Sequence, residues 1–580
     1  MRHILNELGK FKKEVIFIFI TSLISALCTM GIPKVMQGLI DTAIPEHDYG
    51  LTFIIAGEMV ILAVIILVVG IYGARCASYV SMGVGKSMRK KTFEKVQTFS
   101  DYEIDYFSTS SLISRTNSDI NQVQVFLSSC LRVAIMAPFY GIAGIVMTVL
   151  TTTKLVMIIV ISIPVMAIFI AIIGKIAIPL AAELEEKLDH INMVIREKLT
   201  GVRVIRAFGT IDFEDKRFDK INRDYEKVDK TVLYATNWLR SISILVTGGV
   251  MIAILAVPFY QYLHGERSYT LGMLVSVITY ESFIMVAVMF MTIVILFMPK
   301  AAICANRAYE VIEKELEIKE VEKSKSIPEK RGYLTFKNVS FTYKGADVPA
   351  IKNLSFEAKP GETTAIIGGT GMGKSTIVNL IPRLYDVTEG EILIDDVNIK
   401  DYTLADLRKK IGFVPQKALL FKGTIDENLA FGDENPTEER VEKAAKIAQA
   451  YDFIMQKEKG FEDPVAQGGT NFSGGQRQRL CIARAIVRKP EIYIFDDSFS
   501  ALDLRTDRLL RTELKKEMGK DTTSVIVAQR VSTILDADRI IVVDMGEVVG
   551  IGTHEELLKS CEVYKEIVAS QMKGEEASHE

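Results

Sequence analysis

The chain has 580 residues, 49% of them hydrophobic, and a formal net charge of −3. It is long enough for several domains and too apolar for an ordinary soluble enzyme. The near-neutral charge, with no basic tract beside aromatic residues, excludes nucleic acid as a partner. Six scattered cysteines form no CxxC pair and read as reduced small residues rather than a disulfide or zinc framework.

The apolar excess lies before about residue 300. Near-continuous apolar segments at about 14–36, 51–74, 133–153, 155–174, 241–262 and 269–298 predict six transmembrane helices. The fourth has ~20 residues without a charge, enough to cross ~30 Å of hydrocarbon, and neighbouring helices can satisfy the carbonyl freed by its Pro164. Lys86, Arg89, Lys90, Lys91, Lys95 and Arg115 lie between spans two and three. Lys187, Arg196, Lys198, Arg203, Arg206, Lys216 and Arg217 lie between spans four and five. The other connections hold little more than Lys154 and Arg267, so the positive-inside rule predicts that both termini and the two long loops face the cytoplasm. The basic start "MRHILNELGKFKK" precedes an apolar run too long for a signal peptide and without a cleavage site, and reads as an amphipathic elbow helix. The two loops, about 55 and about 65 residues long, keep helical spacing. They are predicted to extend the membrane helices into the cytosol, each pair closed by a short transverse helix, near 105–115 and near 207–215.

A charged stretch over 317–332 lacks apolar periodicity and reads as a linker between a membrane domain over 1–316 and an α/β domain over 333–580. In the latter, "TTAIIGGTGMGKSTIVNL" runs strand, glycine loop, helix, and Gly368 to Ser375 matches G-x-x-x-x-G-K-[ST]. Gly371 and Gly373 let backbone N–H groups wrap phosphates. Lys374 reaches the β and γ oxygens, Ser375 offers a hydroxyl to Mg²⁺, and the helix start adds favourable potential.

Downstream, "IGFVPQ" ends at Gln416 and "NFSGGQRQRL" occupies 471–480. "IYIFDD" sets Asp496 and Asp497 at the end of an apolar strand, and "VIVAQR" carries Gln529. Together with the glycine loop these motifs resemble the nucleotide-binding domain of ABC transporters over 333–565. With six spans upstream, the whole chain resembles an ABC exporter half-transporter. The resemblance implies a polytopic α-helical membrane domain, six transmembrane helices with long cytoplasmic extensions, fused to an α/β P-loop ABC nucleotide-binding domain that uses ATP and Mg²⁺. It implies that Tyr343 stacks on adenine and that Gly368, Gly371, Gly373, Lys374, Ser375 and Thr376 hold the phosphates. Ser375, Gln416 and Asp496 would hold Mg²⁺, while Ser473, Gly475 and Gln476 would contact ATP bound by another subunit. The segment "SALD", Ser500 to Asp503, would line the opposite site.

Two departures stand in one site. Asp497 replaces the glutamate that polarises the attacking water in active members, a withdrawal of ~1.5 Å where general-base catalysis depends on reach. Gln529 replaces a histidine, and glutamine cannot carry charge or shuttle a proton near neutral pH. The resemblance therefore extends to the degenerate-site subunit of heterodimeric bacterial multidrug exporters, with Asp497, Gln529 and Gln416 in the weak site and an intact "FSGGQ" for a second half-transporter subunit. Gln467 and Gly468 stand where many exporters have Glu and Arg. The implied function is ATP-driven efflux of amphipathic compounds across the cytoplasmic membrane, with membrane lipid around it; a lipid or lipopeptide flippase and a slow homodimeric exporter are the alternatives. Glu58 and Glu281 are carboxylates inside apolar spans, and Glu281 in span six is the candidate cargo contact.

Overall fold

The computed structural model describes residues 2–264, 269–325, 331–433 and 435–576. Arg267 and the middle of the linker, 326–330, lie outside them. The chain forms two compact units, one of Met1–Thr98 and Phe107–Glu315, the other of Phe99–Tyr106 and Leu316–Glu580.

The first unit is helical. The helices up to Ile312 are α1 (Arg2–Leu8), α2 (Lys12–Gly38), α3 (Tyr49–Gln97), α4 (Asp101–Phe107), α5 (Thr109–Thr116), α6 (Ser118–Ser129), α7 (Met136–Thr151), α8 (Thr153–Phe208), α9 (Ile211–Leu263) and α10 (Leu271–Ile312). All but α4 belong to this unit; α4, up to Tyr106, falls in the second. Among the described residues six helices are long and apolar enough to cross a membrane, one for each predicted span. At 1.5 Å per residue the 56 residues of α8 extend roughly 80 Å, more than twice a hydrocarbon core, so its polar half must project beyond the bilayer.

The elbow at the start is tied down by charge. Glu7 on α1 is nearly fully buried and accepts from Lys91, from Lys10 at 2.7 Å, from Ser87 at 2.9 Å and from Tyr309 at 3.2 Å. Four donors on one carboxylate offset its desolvation and pin α1 to α3 and α10.

The loop ends differ from expectation. The first loop carries two short helices, α4 and α5, broken at Ser108, whose φ of 61° lies in the left-handed region and whose hydroxyl caps α5. In the second loop no separate transverse helix forms. Gly209, at φ 65°, ends α8, and after Thr210 the acidic first turn of α9, with Asp212 and Glu214, begins at once.

The second unit has a six-stranded sheet in the order Glu547–Gly552, Arg539–Asp544, Thr363–Ile367, Thr523–Val527, Ile492–Asp496, Ile411–Val414. All neighbours pair in parallel except the antiparallel edge strand at 547–552. Helices cover both faces, which is why Ile492–Asp496 and Thr523–Val527 are buried at every residue and read as unbroken apolar runs. An antiparallel sheet of Ile351–Ala358, Leu334–Phe341, Glu389–Ile394 and Val397–Asn398 shares a core with one face of it, where Phe336, Ile351 and Ile392 join Ile366, Ile494 and Val525. The segment Phe99–Tyr106 joins this unit through polar contacts: Glu103 accepts from the backbone N–H of Glu317 at 2.7 Å, and the Lys344 ammonium lies 4.5 Å from the Tyr102 ring centroid.

Candidate functional site

Strand order assembles the site. The glycine loop follows Thr363–Ile367, Gln529 follows Thr523–Val527, Asp497 follows Ile492–Asp496, and Gln416 follows Ile411–Val414. These are four adjacent parallel strands, in register with Val527 opposite both Ile366 and Asp496, and Val414 opposite Phe495. Their carboxyl ends therefore open side by side, where ligands bind to open α/β sheets. Residues separated by more than 160 positions are brought to one rim by the pairing alone.

The phosphate side is compact. Gly373, at φ 89°, leaves no room for a side chain, since a Cβ there would come within 2.8 Å of the Ala350 carbonyl. Gly371 is also left-handed, at φ 81°, and a Cβ on Gly368 would meet the Val543 carbonyl at 2.2 Å. Buried Lys374 folds its ammonium onto the loop, donating to the carbonyls of Gly368 at 2.8 Å and Gly369 at 2.6 Å. Burial holds its pKa below the usual lysine range, while Asp497 and Asp496 pull the other way. The Ser375 hydroxyl donates to Asp496 Oδ1 at 3.0 Å, and burial pushes the Asp496 carboxyl up despite that bond. A hydroxyl and a buried carboxylate facing each other suit a hard cation with oxygen ligands. The Tyr343 hydroxyl is 3.0 Å from that of Thr376, and its ring stands edge-on to Phe341 and Tyr385 while remaining 37% exposed, enough for a base to stack against.

The carboxylate side is knitted by amides. Asp497 takes the left-handed conformation, φ 49°, and its backbone N–H donates to Val527 at 3.0 Å, which turns its side chain away from the strand axis. Its Oδ2 accepts twice, from Gln529 Nε2 at 2.8 Å and from Gln416 Nε2 at 3.3 Å. Burial raises the Asp497 pKa, with the Gln416 and Ser500 bonds and the charges of Lys374 and Arg530 opposing. The Ser500 hydroxyl donates to the Asp497 carbonyl at 2.9 Å, so the "SALD" turn is fastened to the same residue.

The signature residues do not join this cluster. Ser473 caps the helix Gly474–Val487 in a reciprocal box: its hydroxyl accepts from the Gln476 N–H at 3.3 Å, and Gln476 Oε1 accepts from the Ser473 N–H at 3.0 Å. A Cβ on Gly475 would lie 3.1 Å from the Ala501 carbonyl, so signature and "SALD" lie against each other. Ser473 is exposed, free to face another chain. Gln467 and Gly468 sit in the turn just before the signature, Gly468 at φ 71°. In the membrane unit Glu281 is fully buried and neither carboxylate oxygen has a hydrogen-bond partner, whereas Glu58 is exposed. Sequence reasoning missed Gln571, which bonds the backbone of the Gln529 loop from the last helix; nothing local in a polar tail marks such a contact.

Comparison with known proteins agrees with this geometry. Residues 15–288 match the ABC transporter transmembrane region and residues 351–500 the ABC transporter domain. An uncharacterized ABC transporter ATP-binding protein of Mycobacterium tuberculosis is 34% identical over 573 residues, 98% of this chain and 97% of that protein. An ATP-dependent lipid A-core flippase of Haemophilus influenzae is 31% identical over 565 residues, 97% of this chain and 96% of its own length. The structure of a bacterial Atm1-family ABC exporter with ATP bound superposes with a TM-score of 0.83 at 25% identity, over 97% of this chain and 98% of that one. A multi-pass membrane unit and a P-loop unit whose motif loops meet at one sheet rim are thus the two halves of one machine, and the chain belongs to the ABC exporters, in which a transmembrane domain is fused to an ATP-binding domain that couples ATPase activity to transport.

Proposed function

We propose that this chain is the slow-site half of a heterodimeric exporter that moves amphipathic compounds across the cytoplasmic membrane, with both termini in the cytosol. The observation that carries the reading is the double occupancy of Asp497 Oδ2 by Gln529 and Gln416. That oxygen can take a proton from an attacking water only by shedding an amide, which leaves Oδ1 as the acceptor, and neither amide can receive the proton in turn. Lys374, Ser375 and Asp496 are untouched by this and support firm binding of ATP. Ser375, Asp496 and Gln416 would hold Mg²⁺, which when bound supplies neutralisation of the phosphate charge. Tyr343 would stack on adenine, and Thr376, tied to it, would fix the ring's height over the loop. The capped signature helix, presenting Ser473, Gly475 and Gln476, would complete the competent site of the partner. Glu281, a buried carboxylate without hydrogen-bond partners, supports a cationic amphiphile as cargo once α10 exposes it.

A lipid flippase is the second reading. It is supported by relatives about a third identical over nearly their whole length that are named lipid A-core flippases. The deciding experiment is steady-state ATPase activity of this chain alone and co-expressed with a candidate partner. Activity only in the pair, abolished by replacing the partner's catalytic glutamate and little changed by Asp497→Asn, is the expected result. Substantial activity from this chain alone, lost in Asp497→Asn, would show a homodimer with a working aspartate base. Turnover stimulated by lipid rather than by cationic dyes would favour the flippase.

A further inference from the structure

The last helix, Glu562–Glu576, is held to the sheet domain by one face. Tyr564 is fully buried with its hydroxyl 2.7 Å from His554 Nδ1, and Ile567 and Val568 pack on the core. Gln571 follows at the next turn of that face, three and four residues on. Its amide is used at both ends: Oε1 accepts from the Val531 N–H at 2.8 Å, and Nε2 donates to the Gln529 carbonyl at 2.7 Å. The stretch it grips runs from exposed Gln529 and an extended, exposed Arg530 into the turn Val531–Thr533, where Val531 and Thr533 are buried and the Thr533 carbonyl accepts from Arg511 at 2.9 Å.

We propose that Gln571 is a positioning residue for the γ-phosphate end of the nucleotide site: by clamping the backbone at 529 and 531 it holds the Gln529 amide on Asp497. The inference rests on the proposed reading of this cluster as an ATP site. The relay is continuous, from Gln571 Nε2 to the Gln529 carbonyl, and from Gln529 Nε2 to Asp497 Oδ2 at 2.8 Å. Asp497 follows directly on Asp496, whose Oδ1 takes the Ser375 hydroxyl at 3.0 Å next to Lys374, so the far end of the relay lies beside the loop whose lysine reaches the terminal phosphate. Side-chain amides that bond both a backbone N–H and a backbone C=O set a loop's position in two directions. That lets the terminal helix, more than forty residues away in sequence, decide whether Gln529 stays on the carboxylate.

The test is release of a fluorescent ribose-labelled ATP, and separately of the labelled ADP, from the full-length chain during a chase with unlabelled nucleotide. Q571A is expected to speed ATP release about two- to tenfold, the effect of a lost hydrogen bond, and to leave ADP release unchanged. Q529A/Q571A should release ATP no faster than Q529A alone, because residues acting in series do not add. Q571E keeps the acceptor for Val531 but sets a carboxylate oxygen against the Gln529 carbonyl, and should release ATP at least as fast as Q571A; it carries the same comparison if Q571A folds poorly. Equal acceleration of ATP and ADP, or effects that multiply in the double variant, would overturn the inference and leave Gln571 a fastener of the helix. A wild-type chain that does not retain labelled ATP would overturn the reading of the site together with the inference. Retention by wild type beside variants releasing at the wild-type rate would overturn the inference alone.

Discussion

On one side of the proposed nucleotide cluster, Lys374, Ser375 and Asp496 bond to the glycine loop or to each other. On the other side, Asp497, Gln416 and Gln529 bond to one another and spend a single carboxylate oxygen on two amides. Both sides stand at the ends of the same parallel strands, so the fold supplies equal placement and the side chains make the difference. The contrast teaches that affinity for nucleotide and the power to cleave it are separable properties of one rim. Binding needs donors and a cation site, and hydrolysis a base within reach of water; on the proposed reading the first set is intact, while one oxygen of Asp497 carries two amides.

The contrast can be broken outright by rebuilding the second side. Asp497→Glu combined with Gln529→His is expected to raise single-turnover ATP hydrolysis by the full-length chain about 10²-fold, the lower end of what a positioned general base contributes. No increase would mean that the base is not what limits this site. Damaging the first side should do the reverse. Lys374→Ala removes charge-assisted hydrogen bonds and is expected to weaken labelled-ATP binding roughly 10- to 100-fold, whereas Asp497→Asn leaves it nearly unchanged. Equal losses in the two variants would erase the distinction.

Finer tests sharpen it. Tyr343→Ala should cost about three- to tenfold in ATP affinity, and Tyr343→Phe less, since only the bond to Thr376 is lost; equilibrium titration separates the two. The smallest effect concerns pH. Burial raises the folded pKa of Asp496, so its carboxylate is protonated at a higher pH than an ordinary aspartate as pH falls. Ionising it in the apo domain opposes folding, and that penalty disappears as pH drops through the raised pKa. Mg²⁺ needs the ionised form, so the half-saturating Mg²⁺ concentration for labelled-ATP binding should rise as pH falls, and rise less in Asp496→Asn, which has no carboxylate to protonate.

Much of this was legible along the chain because its signals are local. Six long apolar runs, nearly free of charge, announce six membrane helices, since lipid offers backbone groups no other partner. The glycine loop and the apolar runs leading to Asp496 and Gln529 stand out in the sequence, because turn chemistry and strand burial act within a few residues. Helix breaks were harder. Ser108 and Gly209 end helices through left-handed backbone angles, and whether a further transverse helix follows depends on packing that periodicity does not record.

Sequence by itself determined the two-part architecture, the glycine-loop motif and, through the family resemblance alone, that Asp497 and Gln529 stand as substitutions beside the motif strands. Tertiary structure alone decided what those substitutions do to each other. The parallel strand order sets residues 416, 497 and 529 at one rim, so that two amides meet one carboxylate oxygen. It alone also decided that Glu281 is sealed among helices and that Gln571 reaches back to the Gln529 loop. The physical reason is the same in each case: hydrogen bonds and burial join residues far apart in the chain, and only a closed fold fixes which of them come within 3 Å.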